Sequence, residues 1–183
     1  MHRKSAVLEN RIDELIDFAE LDTRLENREL HEVNNLNALL HNIVNDFVKD
    51  MEMRWHIFHA EIARTQTAIV LMDTEQLYRV FENILKNAQD YSPEGSTISL
   101  RTRLEDNSAV VVISDNGKGI DKQDVELIFK PFHRGYSGRN QGGMGLGLSS
   151  AASIIRSHGG TIEYRDRIGG GAQFAITLPL HLS

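Results

Sequence analysis

The sequence predicts a two-layer α/β sandwich on a mixed sheet, and three observations predict it. Short apolar runs alternate with stretches of helical periodicity, the pattern of a sheet covered by helices. Consecutive strand-like runs are joined by short polar or glycine-rich turns, so some neighbours must pair as hairpins. A glycine-rich irregular stretch over 134–143 separates the central strand-like runs from a helix that begins near Leu146.

Residues Ser5 to Glu26 read as a helix, with Leu8, Ile12, Leu15 and Ala19 at alternating four- and three-residue steps and Ile16 beside them. Asn27 to Asn35 is polar and reads as a linker. A second amphipathic helix carries Leu36, Leu40, Ile43, Val44, Phe47, Val48 and Met51. Ala68 to Met72 suits a strand, and Asp73-Thr74 suits the cap of the helix that follows. That helix places Leu77, Val80, Phe81, Ile84, Leu85 and Ala88 on one face and Asn83 and Asn87 on a neighbouring one. Ser92-Pro93-Glu94-Gly95 ends it.

Thr97 to Leu104 and Ala109 to Ser114 are strand-like, joined by a turn at Glu105-Asp106-Asn107-Ser108. Asp121 to Phe129 reads as a short helix. Leu146 to Ser157 reads as a longer one that stops at His158-Gly159-Gly160. Thr161 to Arg165 and Gln173 to Leu178 close the sheet around Gly169-Gly170-Gly171. The chain divides into 1–34, a helix and linker, and 35–183, the sandwich.

With 183 residues, 40% hydrophobic and 25% charged, the chain can bury a core of ordinary size. Its net charge of -6, without any basic run, argues against nucleic-acid binding. Without cysteine it has neither disulfides nor thiolate metal sites, which is compatible with a cytoplasmic setting. No signal-peptide core or apolar stretch of membrane-spanning length appears, so the sensing and spanning parts of any membrane-anchored parent lie outside this chain.

Four motifs carry chemistry: Asn83-Ile84-Leu85-Lys86-Asn87, Asp115-Asn116-Gly117-Lys118-Gly119, Phe129-Lys130-Pro131-Phe132 and Gly143-Met144-Gly145-Leu146-Gly147. Two asparagines at i and i+4 can be a pair of surface amides, but their oxygens are also hard ligands suited to Mg²⁺. Asp-Asn-Gly is a common turn; here a strand delivers Asp115 to the sheet end, and Gly117 and Gly119 allow close backbone approach. A buried carboxylate there can accept a hydrogen bond from an exocyclic amine such as adenine's, which guanine does not offer at that position. Gly143, Gly145 and Gly147 open a helix whose first amides can receive phosphate. No Gly-Lys-Ser/Thr follows and no strand precedes, so this is neither a Walker A nor a Rossmann turn.

In this order the motifs resemble the N, G1, F and G2 boxes of the catalytic ATP-binding domain of sensor histidine kinases, in the GHKL (Bergerat-fold) superfamily. The resemblance runs from about Asn35 to the C-terminus. It implies ATP and Mg²⁺ as cofactors, with Asn87 as the direct metal ligand and Asn83 supporting the water shell. Tyr91 would lie against adenine, Asp115 would select the base, and Ile120, Leu146 and Leu148 would complete the nucleotide's surroundings. Phe129 and Phe132 would latch the flexible ATP lid, with Lys130 and Arg134 reaching the γ-phosphate. Kinases of this family often carry a cation just before the aromatic residue; here that position is Asp90, and Lys86 lies one turn earlier.

The resemblance further implies transfer of the γ-phosphoryl group to a histidine on a dimerisation hairpin, then relay to a response-regulator aspartate, in a homodimeric parent. Residues 1–34 would hold the end of the second dimerisation helix. His31-Glu32-Val33-Asn34-Asn35-Leu36 nearly matches a phosphoacceptor segment but lacks its proline and leaves no room for the hairpin before Asn83. His56 and His59 read as part of a helix face, His133 lies in the lid, and His158 suits a helix cap. The alternatives are a related ATPase clamp, which would need a glutamate where Asn83 stands, and a nucleotide-binding pseudokinase or regulatory module.

Overall fold

A computed structural model of the chain describes residues 15–16, 32–53, 56–63, 67–135 and 144–181. Most of the predicted N-terminal helix, His31 and the lid segment 136–143, with Gly143, lie outside the described residues. Leu15 and Ile16 are helical and exposed.

Among the described residues from Glu32 onward, ten elements follow one another: β1 (Glu32–Asn35), α1 (Leu36–Met53), β2 (Ile57–Glu61), β3 (Ile69–Met72), α2 (Thr74–Tyr91), β4 (Thr97–Glu105), β5 (Ser108–Ser114), α3 (Gly147–Ser157), β6 (Thr161–Asp166) and β7 (Ala172–Pro179). Five strands form one sheet in the order β2-β4-β5-β7-β6. β2 runs parallel to β4 and the other neighbours are antiparallel, so the sheet is mixed. β1 and β3 make a separate antiparallel pair.

The helices cover one face of the sheet. Alternation along β5 sends Ala109, Val111 and Ile113 into the core cluster, beside Ile98 and Leu100 of β4 and Phe174, Ile176 and Leu178 of β7. From α2 the same cluster takes Leu77, Val80, Phe81, Ile84, Leu85 and Ala88, the apolar face legible in the sequence. Asp73 caps α2: one carboxylate oxygen accepts the Gln76 amide at 3.1 Å, the other the Gln76 side chain at 3.0 Å.

His158 does more than end α3. Its Nε2 accepts the Asp73 amide at 3.0 Å while Nδ1 lies 2.8 Å from the Ile154 carbonyl. The first contact makes Nε2 the acceptor, so Nδ1 carries the proton and donates to Ile154. The buried ring thus joins the end of α3 to the start of α2. His158→Ala is expected to cost about 1–3 kcal/mol by leaving the Asp73 amide unpaired. An unshifted urea midpoint would show that this link contributes nothing.

Three local expectations are corrected. Residues 121–129 form successive tight turns instead of a helix, with Asp124 N donating to Asp121 O, Leu127 N to Asp124 O and Lys130 N to Leu127 O. His59 lies in β2 and His56 just before it, so they share no helix face. The last four residues of the segment read as a linker form β1.

Candidate nucleotide site

Asn83, Asn87 and Tyr91 succeed one another at four-residue steps along α2. Both asparagines are half-buried, whereas Glu82, Lys86 and Asp90 form the adjacent exposed stripe. The start of α3 comes up against Asn83: a Cβ built on Gly147 would lie 3.5 Å from both Cγ and Oδ1 of Asn83. Leu146 occupies the N-cap position, and no side chain caps this helix. Its first-turn amides therefore face the asparagine edge of α2 without a capping oxygen, an arrangement that favours an anion. Leu146 is buried, and Leu148 is half-buried against the core.

Asp115 follows β5 directly and is 4% exposed. Its amide donates to the Ala172 carbonyl at 2.9 Å, extending the β5–β7 ladder by one bond. Oδ1 accepts two amides, Gly117 at 2.7 Å and Ala172 at 3.1 Å. No described residue hydrogen-bonds to Oδ2, which leaves one carboxylate oxygen to accept from a ligand. Burial pushes the carboxyl above its ordinary range, opposed by the Ala172 and Gly117 amides and by the Arg167 charge. Arg167 also donates from Nη1 to the Asp115 main-chain oxygen at 3.1 Å.

Gly117 must be small, since a Cβ there would lie 2.5 Å from the Tyr91 carbonyl oxygen. The same close approach brings the Asp115 loop to the end of α2. Lys118 Nζ sits 5.7 Å from the centroid of the Tyr91 ring. Burial raises the Tyr91 hydroxyl, while the positive charge of Arg134 acts against that rise. The Asp115 loop, the Tyr91 ring and Arg134 are therefore brought to one neighbourhood.

The two ends of the lid cross beside them. A Cβ on Gly145 would lie 2.5 Å from the His133 carbonyl oxygen and 3.0 Å from Arg134 Cγ. His133 Nε2 in turn stands 3.2 Å from an oxygen of buried Asp124, a pair that is ionic only when the imidazole is protonated. Phe129 anchors the near end, edge-on to Phe174 with centroids 6.4 Å apart. Phe132 is 60% exposed, so of the two expected latch aromatics it is Phe129 that packs on the core. Lys130 is exposed.

The site holds residues that sequence reasoning missed. Tyr164, Arg167 and Ala172 reach the Asp115 loop from the β6–β7 hairpin, some fifty positions downstream. Their only visible signal was the Gly169-Gly170-Gly171 run, which marks a turn without saying what it touches. Ile120 belongs to the same junction, its amide donating to Tyr164 Oη at 3.0 Å.

The donor chemistry fits magnesium. Among the described residues no group of three His, Cys, Asp or Glu side chains could hold a metal. A site built from one or two carboxamide oxygens, with water and phosphate completing it, asks for nothing more.

A buried carboxylate with one oxygen left open, paired half-buried carboxamides and a helix start without a side-chain cap share one end of the α/β sandwich. Residues 72–182 match the family described as "Histidine kinase-, DNA gyrase B-, and HSP90-like ATPase". The chain is 34% identical over 169 residues to the alginate biosynthesis sensor protein KinB of Pseudomonas aeruginosa, covering 92% of this chain and 28% of that one. It superposes on the mycobacterial sensor histidine kinase MprB with TM-score 0.69 and 28% identity, covering 84% of this chain and 99% of that one. For the catalytic domain of histidine kinase ThkA the values are TM-score 0.73, 26% identity, and 82% and 95% coverage.

The chain belongs to the histidine kinase-, DNA gyrase B- and HSP90-like ATPase family, and its fold is that of the histidine-kinase catalytic domains. It spans 28%, 20% and 21% of the length of three curated relatives, all named as sensor proteins or histidine kinases. No helix among the described residues is long and apolar enough to cross a membrane.

Proposed function

We propose that this chain is the ATP-binding catalytic part of a cytoplasmic kinase module that phosphorylates a histidine on a dimerisation hairpin, for relay to a response-regulator aspartate. The observation that carries this reading is the division of roles on α2. Half-buried Asn83 abuts the N-terminus of α3, whereas Glu82 is exposed on the next stripe. A hydrolase clamp needs a carboxylate aimed at water beside the phosphates. Here an amide, which cannot take a proton from water, holds that place.

In this reading Asp115 Oδ2 accepts the adenine amine, Tyr91 flanks the ring, and the α3 amides with Gly143, Gly145 and Gly147 receive the phosphates. Asn87 ligates Mg²⁺ and Asn83 supports its waters; the ion supplies charge neutralisation at the transferring group. Arg134 and Lys130 balance charge on the γ-phosphoryl as its bond to ADP breaks and one to an imidazole nitrogen forms. Ile120, Leu146 and Leu148 line the apolar sides. Residues 1–34 contribute the end of a dimerisation helix and a linker whose last residues enter β1, with 35–183 forming the catalytic domain of a homodimeric parent.

The test is incubation with γ-labelled Mg-ATP, following bound nucleotide, released phosphate and acid-labile label. Retention of nucleotide without turnover or self-labelling supports the proposal, and sustained phosphate release would make the chain a clamp-type ATPase. Acid-labile labelling that disappears in His31→Ala would move the acceptor into this chain. Asn87→Ala is expected to weaken ATP binding about tenfold in Mg²⁺ and to leave binding in EDTA unchanged. A variant with parental magnesium dependence would remove Asn87 from the metal site.

A further inference from the structure

Nucleotide binding as read above uses nothing from β6, yet β6 sends one side chain into the base-side loop. Tyr164 lies two strands from β5, with β7 between them. Its ring packs on Phe174, the β7 residue opposite it, with centroids 5.7 Å apart. Its hydroxyl emerges beyond β7 at the Asp115 loop. There it accepts the Ile120 amide at 3.0 Å and donates to Asp166 Oδ1 at 2.6 Å. A Cβ on Gly119 would lie 3.5 Å from the same oxygen. Asp166 stands opposite Ala172, the residue whose amide and carbonyl both bind Asp115.

The two ends of the loop are thus held from one hairpin. Ala172 fixes the loop at Asp115, and Tyr164 fixes it at Ile120. Between these posts lie Gly117 and Gly119, which offer the chain little stiffness of their own. With either post removed, a loop containing two glycines would sample orientations in which Oδ2 is misaimed. Burial and the bond to Asp166 push the Tyr164 hydroxyl up to about 12, so it keeps its proton and stays a donor throughout the neutral range.

We propose that Tyr164 is a positioning residue for base recognition: oriented by Asp166, its hydroxyl holds the Ile120 amide and so sets the aim of Asp115 at the adenine amine. This rests on the assignment of Asp115 to the base. Tyr164 touches no reacting atom and acts through the loop alone. Its influence should therefore fall on base discrimination and leave the magnesium–triphosphate contacts as they are.

The experiment compares the parent chain, Tyr164→Phe, Asp166→Asn and Asp115→Asn in binding ATP and ITP, whose 6-oxo group replaces the amine. Tyr164→Phe keeps the ring against Phe174 and should keep the fold. It is expected to lose about three- to tenfold in ATP affinity, to lose less for ITP, and to keep the parental magnesium dependence. Asp166→Asn retains an acceptor for the hydroxyl and should fall between Tyr164→Phe and the parent. Amide exchange in the nucleotide-free protein should speed up at Ile120 in Tyr164→Phe.

Parental ATP affinity and an unchanged ATP-to-ITP ratio in Tyr164→Phe would overturn the proposal, provided Asp115→Asn shows its own loss. Equal losses for ATP and ITP would also overturn it, by reducing Tyr164 to a general structural role. If Asp115→Asn binds like the parent, the base assignment itself fails, and the role given to Tyr164 fails with it.

Discussion

Asp115→Asn is expected to weaken ATP binding by about 2–3 kcal/mol, roughly 30- to 140-fold, while making the nucleotide-free domain more stable at neutral pH. The substitution keeps the shape of the side chain and the acceptor that Gly117 and Ala172 use. It replaces Oδ2 by an amide whose hydrogens, in the proposed pose, would meet those of the adenine amine, donor against donor. Stability moves the other way because burial raises the Asp115 carboxyl. A raised folded pKa means that the folded protein favours the neutral acid. Its contribution is complete below the ordinary carboxyl value of about 3.9 and is lost as pH rises through the raised folded value.

As pH rises through the raised folded value the parent acquires a buried charge that asparagine never carries. Melting temperatures compared from about pH 7.5 down to about pH 4.5 should show the asparagine variant ahead at the top and the gap closing toward the bottom. ITP, whose 6-oxo group accepts from the new amide, should lose far less than ATP. A variant that binds ATP like the parent would remove Asp115 from base recognition. One that is less stable than the parent at neutral pH would refute the burial cost.

How much of this was legible in the sequence follows from how local each determinant is. The apolar face of α2 is set by helical periodicity, and all six predicted residues are buried. Asp115 could be placed because the apolar run Ala109 to Ile113 of β5 gives way to Ser114 just before it. β2 was invisible for the opposite reason. Ile57–Glu61 is an edge strand, exposed along most of its length, and only the parallel partner β4 makes it a strand. Asp121 to Phe129 has the composition of a helix, but its amide–carbonyl bonds close mostly at three-residue steps, with Ile128 N to Asp124 O at four, in a segment that delivers Phe129 to Phe174. Tyr164 and Arg167 were missed because sheet order, which single-chain periodicity does not encode, decides that β7 carries β6 to the Asp115 loop.

Gly171→Ala should be the most damaging small substitution in the domain, because fold and site share one contact there. Gly171 has φ +105, and a Cβ would lie 2.1 Å from the Asp115 carbonyl oxygen and 2.8 Å from its carbon. These are main-chain atoms, so no side chain can turn aside. Either the hairpin tip lifts, or Asp115 moves away from Ala172 and gives up the bonds that fix it. The loop also leans on Gly171 from the other side, where a Cβ on Gly119 would come 3.2 Å from the Gly171 oxygen.

Backbone strain of about 1–3 kcal/mol and two or three lost hydrogen bonds give a total of about 3–5 kcal/mol. For a domain of this size that lowers the melting temperature by roughly 6–20 °C. Any folded fraction should bind ATP more weakly than Asp115→Asn does, since the whole loop is displaced. Gly170→Ala supplies the control: its φ of +98 is equally unusual, yet a Cβ there meets nothing within 4 Å. It carries strain without collision and should retain ATP affinity. If the two alanine variants melt and bind alike, strain alone accounts for both and the contact between Gly171 and Asp115 is not what aims the carboxylate. If only Gly171→Ala loses the nucleotide, the hairpin is a working wall of the base site.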